Sequence, residues 1–521
     1  MEVGIVIGRS SISEFNFVVN PAKVPKFGEY VVAKNSEGLE VLGIVREVSS
    51  FNRLILDGLF NFDYILKNVD QSRTLIEKNE TIVATANVVG LIDEYNIKPN
   101  RSPIKPSTIV YEADSQKLAK ILQPSSKGVE IGRLIVREDV PVVLDVNQLL
   151  LRHFAILSIT GGGKSNAVSV IVNDIVRKLN GTVILIDPHG EYLHYVFEDG
   201  KEIGKNVVSA GIRCENLEPW EFASLIGISR EAYVQRMHAE RAFTTARIEK
   251  YSGKSFVEKV MDKIEDWINV VSSKNKKEIE YYDVNGVKRV ATLSRNDLDA
   301  LSRIKEYVST FLARYEEVLQ QKDMLASIKA GYLNVLNLSG FDEMQMRVVV
   351  SYLLRNILTG RINCVRGKRE WEKICPAVKR PLMIIFEEAH IFATKDDDDL
   401  SRWMSRIARE GRKFGIGIGI VSQRPKKIND DILSQCNTKI ILRVLEPNDQ
   451  KYIQQASETI SEDLLRDISS LGVGEAVIVG PAVKMPVAVK VRKFTGHYGG
   501  KDIDVVREWR EEEIKLEDIA V

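Results

Sequence analysis

Residues 154–179 read FAILSITGGGKSNAVSVIVNDIVRKL. Four apolar residues, a glycine-rich turn and a helical pattern follow one another without interruption, which is the context a phosphate-binding loop requires. Gly161, Gly162 and Gly163 carry no side chains, so their amides are free to wrap phosphate oxygens at the start of a helix. Lys164 supplies a cation for the β and γ phosphates, Ser165 a hydroxyl for Mg²⁺, and Asn166 completes the run. The first glycine of the usual pattern is replaced by Ser158. A flexible glycine turn is the plainer reading, but a lysine and a serine placed between strand and helix point to ATP and Mg²⁺.

A phosphate loop of this kind needs a partner strand ending in carboxylates. LMIIFEEAH (382–390) provides it. Glu387 is expected to face the metal and its water, and Glu388 to polarise the attacking water. Aspartate is commoner at the first position, so Glu387 is a second departure; two solvated strand-end charges are the alternative. VSQRP (421–425) places Gln423 at the end of the next strand, where a polar side chain can sense the γ-phosphate. DPHGEY (187–192) ends another strand and brings Asp187 and Glu191 towards the same place. Arg152, just before the first strand, is either a nucleotide contact or exposed surface. Arg406, Arg409 and Arg412 recur at three-residue spacing in SRIAREGRKFG, one basic helix face. Either that face is solvated, or one residue is an arginine finger for a neighbouring subunit; Arg412 is favoured over Arg409. The KDDDD run (395–399) reads as a solvated loop, because adjacent aspartates repel one another.

Working outward, strand–helix alternation marks an α/β sheet with parallel strands. Its strands are FAILSI (154–159), TVILID (182–187), LNVLNL (333–338), LMIIFE (382–387), GIGIGIVSQ (415–423) and KIILRV (439–444). EAVIVG (475–480) and PVAVKVR (486–492) read as a closing hairpin. Upstream, EYVVA, VLGIVREV and TIVATANVVGLI are short β-branched runs between Gly and Pro clusters, a small β-barrel with a docking or assembly role. Residues 215–330 have helical period, with Leu298, Leu301, Val308, Phe311, Leu312, Tyr315, Val318 and Leu319 on one face. Ser294 and Asp297 form a capping box there. The resulting division is a barrel over 1–140, an ATPase core over 141–214 and 331–495, a helical insertion over 215–330, and a C-terminal arm over 496–521.

Bulk properties narrow the class. In 521 residues, 73 Lys and Arg face 72 Asp and Glu, so nucleic-acid binding must rest on a local patch or pore lining. Cys214, Cys364, Cys375 and Cys436 form no CxxC pair, which argues against a disulfide framework or zinc site and for reduced thiols in the cytoplasm. MEVGIVIGRSS lacks the basic-then-apolar order of a signal peptide, and no apolar run approaches a membrane span.

Together, VVLDVNQLLLRHFAILSITGGGKS, VILIDPHGEY, LMIIFEEAH, REGRKFGIG and SQRPKKINDDILSQCNTKI resemble the HerA family, hexameric ATPases allied to the FtsK translocases. IGRL (131–134) is similar to part of that family's barrel. The resemblance implies a RecA-like P-loop ATPase core, a homohexameric ring around duplex DNA, and work with a NurA-like nuclease on DNA ends in recombinational repair, largely in archaea. It implies nucleotide roles for Gly161 to Asn166, Asp187, Glu387, Glu388, Gln423 and Arg412. It further implies that the loop GPAVKMP (480–486) closes over the base, with Lys484 and Met485 as contacts. Pore loops after the Glu387 and Gln423 strands would offer Lys395, Arg402, Arg424, Lys426 and Lys427 to DNA phosphates. A nucleotide-controlled scaffold ring and an export-type ATPase are the other readings; the lack of an anchor weighs against export.

Overall fold

The computed structural model describes residues 1–52, 79–124, 127–229, 231–249, 255–273, 277–315, 323–395, 398–444, 446–456, 462–499 and 505–506. Its N-terminal strands are β1 (Glu2–Ile7), β2 (Glu14–Val19), β3 (Tyr30–Lys34), β4 (Glu40–Asn52), β5 (Glu80–Asp93), β6 (Asn96–Lys98) and β7 (Ile109–Glu112). They pair in the order β2-β1-β7-β3-β4-β5-β6, and β2 also pairs with β5, closing a six-stranded barrel with β6 as an appended hairpin arm. Alternation drives the closure: Phe15, Phe17 and Val19 of β2 point inward and are buried. Register shifts along β4 at Leu42/Gly43 and Val45/Glu47 bend that long strand around the small barrel.

The second body is an eleven-stranded sheet. It contains β8 (Gly128–Leu134), β9 (Arg137–Asp145), β10 (Phe154–Leu157), β11 (Thr182–Asp187) and β12 (Lys205–Ser209). After the insertion, whose own hairpin is β13 (Glu278–Tyr282) and β14 (Lys288–Thr292), come β15 (Leu333–Asn337), β16 (Leu382–Phe386) and β17 (Ile416–Ser422). Last are β18 (Thr438–Leu442), β19 (Glu475–Val479) and β20 (Val487–Val491). The order is β12-β15-β11-β16-β17-β10-β18-β19-β20-β8-β9. Neighbours from β12 to β18 are parallel, and the remaining pairs are antiparallel. The central strands are buried at every position, so they read as continuous apolar runs rather than alternating ones. In β17 the alternation is of size instead. A side chain at Gly419 would enter the Phe154 ring, and one at Gly417 would fall 2.7 Å from the Leu150 carbonyl oxygen.

Three features depart from the sequence reading. The strand bearing IGRL is β8, which pairs with β20 and β9 in the large sheet, so these residues belong to the core rather than the barrel. An edge strand, β12, precedes the insertion, and the insertion carries the β13–β14 hairpin beside its helices. The long helices are Tyr233–Ile248, Phe256–Ser272 and Arg295–Tyr315. The expected stripe does form their core: Leu301, Val308 and Phe311 are buried, with Leu298 and Leu312 packed against them. The Ser294 amide donates to Asp297 Oδ2 at 2.7 Å and the Asp297 amide to Ser294 Oγ at 3.4 Å, the capping box read from the sequence. Val318, Leu319, the side chain of Tyr315 and the acidic tail from Glu508 lie outside the described residues. No helix among the described residues is long and apolar enough to cross a membrane.

Candidate nucleotide site

Strand order positions the chemistry. β17 lies between β10 and β16, so the loop after β10 and the carboxylates after β16 stand two strand spacings apart, about 10 Å. Gln423, at the end of β17, fills the space between them, and its Oε1 accepts a hydrogen bond from the hydroxyl of Thr160. Gly161 and Gly163 adopt φ of 74° and 101°, turns that side-chain-bearing residues resist. Ser158 is buried and donates to the Ile159 carbonyl at 3.0 Å. Its hydroxyl occupies the space that a side chain at Gly162 would need, which is how the loop accommodates serine in place of the first glycine. Lys164 and Ser165 open the helix Lys164–Leu179.

The acids around this loop divide by environment. Glu387 is buried and accepts a hydrogen bond from the Tyr192 hydroxyl. Burial pushes its carboxyl up to about 8, with Glu191 and Glu388 adding repulsion against the lowering effects of Tyr192 and Lys164. Burial also raises Glu388, but the His390 contact and the Lys164 charge outweigh it and hold Glu388 below its ordinary value. Its Oε2 lies 3.2 Å from His390 Nδ1, and its backbone is left-handed at φ 45°, a conformation that non-glycine residues keep only when their surroundings impose it. Two adjacent carboxyls are thus held in opposite protonation tendencies.

Asp187 is engaged by its own turn. Its carboxylate accepts the amides of His189 (3.3 Å), Gly190 (2.9 Å), Glu191 (3.1 Å) and Tyr192 (2.8 Å), so it is consumed in shaping the turn. That turn delivers Glu191 instead: the Ser165 hydroxyl donates to Glu191 Oε2 at 3.4 Å, and burial followed by Asp187 raises the Glu191 carboxyl. The Asn166 side chain is likewise engaged elsewhere, donating to the Arg492 carbonyl (2.9 Å) and accepting the Phe494 amide (2.8 Å), which pins the loop helix to the segment after β20.

Other candidates stand at the opposite end of the strands. Arg152 precedes β10, one strand length of about 13 Å from the phosphate loop, at the opposite end of the strand. Next to it, His153 is buried and held down to about 4 by that burial, so it is neutral; Nδ1 accepts the Ile418 amide at 3.0 Å and Nε2 donates to the Ala408 carbonyl at 2.9 Å. β19 runs antiparallel to β18 with Val479 opposite Lys439, so the 480–486 loop emerges at this same far edge. There Lys484 Nζ donates to the Tyr95 carbonyl of the barrel at 3.0 Å, and the Met485 side chain is buried, which leaves neither side chain near the phosphate loop of its own chain. Arg412 is not on the helix that holds Arg406 and Arg409. That helix ends at Glu410, and Arg412 lies exposed in the 3₁₀ turn Gly411–Phe414 just before β17. The turn packs against the helix Val146–Arg152, so Arg412 and Arg152 share one edge.

The basic residues proposed for DNA separate too. Lys395 pairs with Asp430 at 3.3 Å, and Lys426 with Glu446 and, at 3.6 Å, Asp449. Arg402 is on the helix Asp399–Glu410 rather than in a loop. Arg424 and Lys427 are exposed on the turn after β17. Of the KDDDD run, Asp398 accepts the Ser401 amide as a helix cap and pairs with Arg347; Asp396 and Asp397 lie outside the described residues.

Three family models match in sequence order: the HAS barrel domain over residues 3–96, the helicase HerA central domain over 129–357 and the helicase HerA-like C-terminal domain over 370–495. A DNA double-strand break repair helicase HerA of Pyrococcus furiosus is 40% identical, the match covering 97% of this chain and 96% of that protein. The chain belongs to the HerA helicase family. A probable HerA of Methanocaldococcus jannaschii is 39% identical over 98% of this chain and 99% of its own length, and the Sulfurisphaera tokodaii HerA is 34% identical over 100% and 99%. Among solved structures, the plasmid coupling protein TrwB with an ATP analogue superposes at a TM-score of 0.50 with 13% identity, covering 75% of this chain and 94% of TrwB. That likeness concerns the fold. The central-domain match begins in β8, in line with the placement of β8 and β9 in the large sheet.

The buried Glu387 has a measurable signature. A carboxyl protonated up to about 8 in the fold but ionising near 4.5 when unfolded binds more protons folded, so stability falls as pH rises between those values. Glu387→Gln should therefore make the nucleotide-free protein more stable than wild type at pH 8, by about 1–3 kcal/mol, with the gap closing by pH 5. Thermal melts at the two pH values test this; an equal gap at both would mean that Glu387 is not protonated in the fold.

Proposed function

We propose that the protein hydrolyses ATP as a homohexameric ring and uses the energy to move along and unwind DNA, acting on DNA ends in recombinational repair beside a NurA-like nuclease. The observation that carries the ring is the division of the nucleotide machinery between two edges of one sheet. Lys164, Ser165, Glu387, Glu388 and Gln423 stand at the strand ends, whereas Arg412, Arg152 and the Lys484–Met485 loop stand at the strand starts. A second copy presenting its far edge would complete the site with the cations its own chain cannot use. The names of the relatives support DNA repair and helicase action as the output. The barrel is the docking and assembly module of this reading, and reduced cysteines suit a cytoplasmic setting.

ATP with Mg²⁺ fits the residues present. The Ser165 hydroxyl and the Glu191 and Glu387 carboxyls gather beside Lys164, and no group of three His, Cys, Asp or Glu side chains forms a cation cage among the described residues. Magnesium held by one or two protein ligands, with water and substrate phosphates supplying the rest, suits such a site. Lys164 would neutralise phosphate charge, Glu388 would accept a proton from the attacking water, and Gln423 would report the γ-phosphate to the loop through Thr160.

ATPase rate with and without linear duplex DNA, together with native mass, tests the whole reading. Stimulation by DNA and a six-fold mass are expected; a six-fold ring indifferent to DNA would instead make it a scaffold. Within the motor reading, the turn after β17 is the DNA contact because Arg424 and Lys427 stand exposed there. Arg424→Ala with Lys427→Ala should reduce DNA-stimulated hydrolysis and lower the salt dependence of duplex affinity by about two phosphate contacts. Unchanged stimulation would remove this turn from the DNA path.

A further inference from the structure

Two clefts on the helical insertion remain unused by the nucleotide chemistry, and they share one residue. The first, about 560 Å³, lies between the insertion and the helix Asp399–Glu410 and is lined by Trp220, Trp403, Arg236, Arg402, Arg406 and Asp399. The second, about 440 Å³, lies between the helix Tyr233–Ile248 and the β13–β14 hairpin, with Tyr233, Tyr281, Tyr282, Arg236 and Arg241 in its walls. Arg236 belongs to both. Tyr233, Arg236, Met237, Glu240, Arg241 and Thr244 follow the spacing of a single helix face, so the second cleft runs about 16 Å along one stripe.

The chemistry of this track is aromatic faces alternating with guanidiniums. Arg241 stacks 4.3 Å from the Tyr281 ring centroid and Arg406 lies 5.5 Å from that of Trp403. Tyr233 is 76% exposed, far beyond what a tyrosine kept for packing requires. At the junction, Arg236 Nη2 donates to the Trp220 carbonyl at 3.0 Å, while Nη1 is buried without a hydrogen-bond partner among the described residues. Nearby carboxylates temper the positive charge: Glu240 lies 3.5 Å from Arg236, Glu410 3.3 Å from Arg406, and Asp283 is taken up by the Asn285 and Val287 amides of the hairpin turn. The recognition on offer is therefore stacking plus scattered hydrogen bonds, with little net charge.

We infer that this track binds single-stranded DNA, its bases stacked on Tyr233, Tyr281 and the two tryptophans and its phosphates and base edges met by Arg236 and Arg241. Stacking platforms interleaved with arginine take any single strand, because every unpaired base offers a π-face, whereas a duplex hides its base faces within the helix. An acidic peptide could meet the guanidiniums but brings no base faces for the exposed aromatic rings to stack on. The track uses none of the side chains gathered at the phosphate loop, although its Trp403 end lies on the helix Asp399–Glu410 that also carries Arg409.

Binding of fluorescein-labelled oligothymidylate to the full-length protein, followed by anisotropy with unlabelled duplex in excess to occupy any duplex channel, tests the inference. Tyr233→Ala should weaken single-strand binding about tenfold, the loss of one stacked base, and Tyr233→Phe should bind as wild type. Arg241→Ala should weaken it further, with a shallow salt dependence throughout. Single-strand affinity unchanged in both alanine variants would overturn the proposal, as would an equal loss for single strand and duplex. Tyr233 projects into solvent, so its substitution leaves the fold intact and the outcome interpretable.

Discussion

Lys164→Ala should leave the protein folded and assembled but abolish ATP hydrolysis, with a loss of at least about 100-fold in rate. Lys164 is half-buried at the start of its helix, and its ammonium is close enough to depress Glu388 and to oppose the rise in Glu387. Alanine removes that charge while the helix remains held by Asn166 on the Arg492–Phe494 segment. Glu388→Gln separates binding from chemistry. The amide keeps the size of the side chain but cannot accept a proton, so ATP should bind with near-normal affinity while turnover falls by about 10²–10⁴-fold. Rapid-quench measurement of ATP cleavage alongside equilibrium nucleotide binding distinguishes the cases. Wild-type turnover in Glu388→Gln would transfer the role of base to another carboxylate, with Glu191, beside Ser165, the first to examine.

The part of the site that could be read from the chain is the part carried by contiguous motifs. A glycine turn between strand and helix has few uses, and EE after an apolar strand gains meaning once that turn is present. Gln423 followed because parallel strands deliver their ends to one edge. Asp187 shows the limit: an aspartate at a strand end serves equally well as a ligand or as an acceptor for its own turn, and only the structure reveals the four amides converging on it. Glu191, four residues on, was within view but could not be preferred without that geometry. Lys484 and Met485 depended on strand direction, which local sequence does not encode; the antiparallel return of β19 moves both to the far edge. The ownership of IGRL was hidden for a similar reason, since β8 finds its partner β20 more than 300 residues later. Arg412 left the expected helix face because the chain tightens into a 3₁₀ turn at Gly411, where a side chain would meet the Ile416 carbonyl at 2.7 Å.

That displacement sharpens the expectation for Arg412. Lys164 offsets only part of the charge on a triphosphate, and a second cation is needed as charge develops in the transition state. Arg412 is exposed at the start edge of β17, with Arg152 beside it, and neither can swing to the loop after β10 of its own chain. Arg412→Ala should therefore bind ATP normally yet lose about 10³-fold or more in hydrolysis as a uniform ring. Co-expressed with Lys164→Ala subunits, it should regain part of the activity, because some junctions then join an intact phosphate loop to an intact Arg412. Arg409, at the end of the preceding helix, provides the internal comparison. Recovery with Arg409→Ala but not with Arg412→Ala, in mixed rings verified by mass, would move the finger to Arg409. Failure of both pairs leaves two explanations, completion of the site within one subunit or a need for several intact junctions at once. A tandem dimer that joins a wild-type subunit to one carrying both Lys164→Ala and Arg412→Ala decides between them: about half the wild-type rate selects a site built within a single chain, since the wild-type subunit keeps both residues, and no activity selects shared sites that must act together.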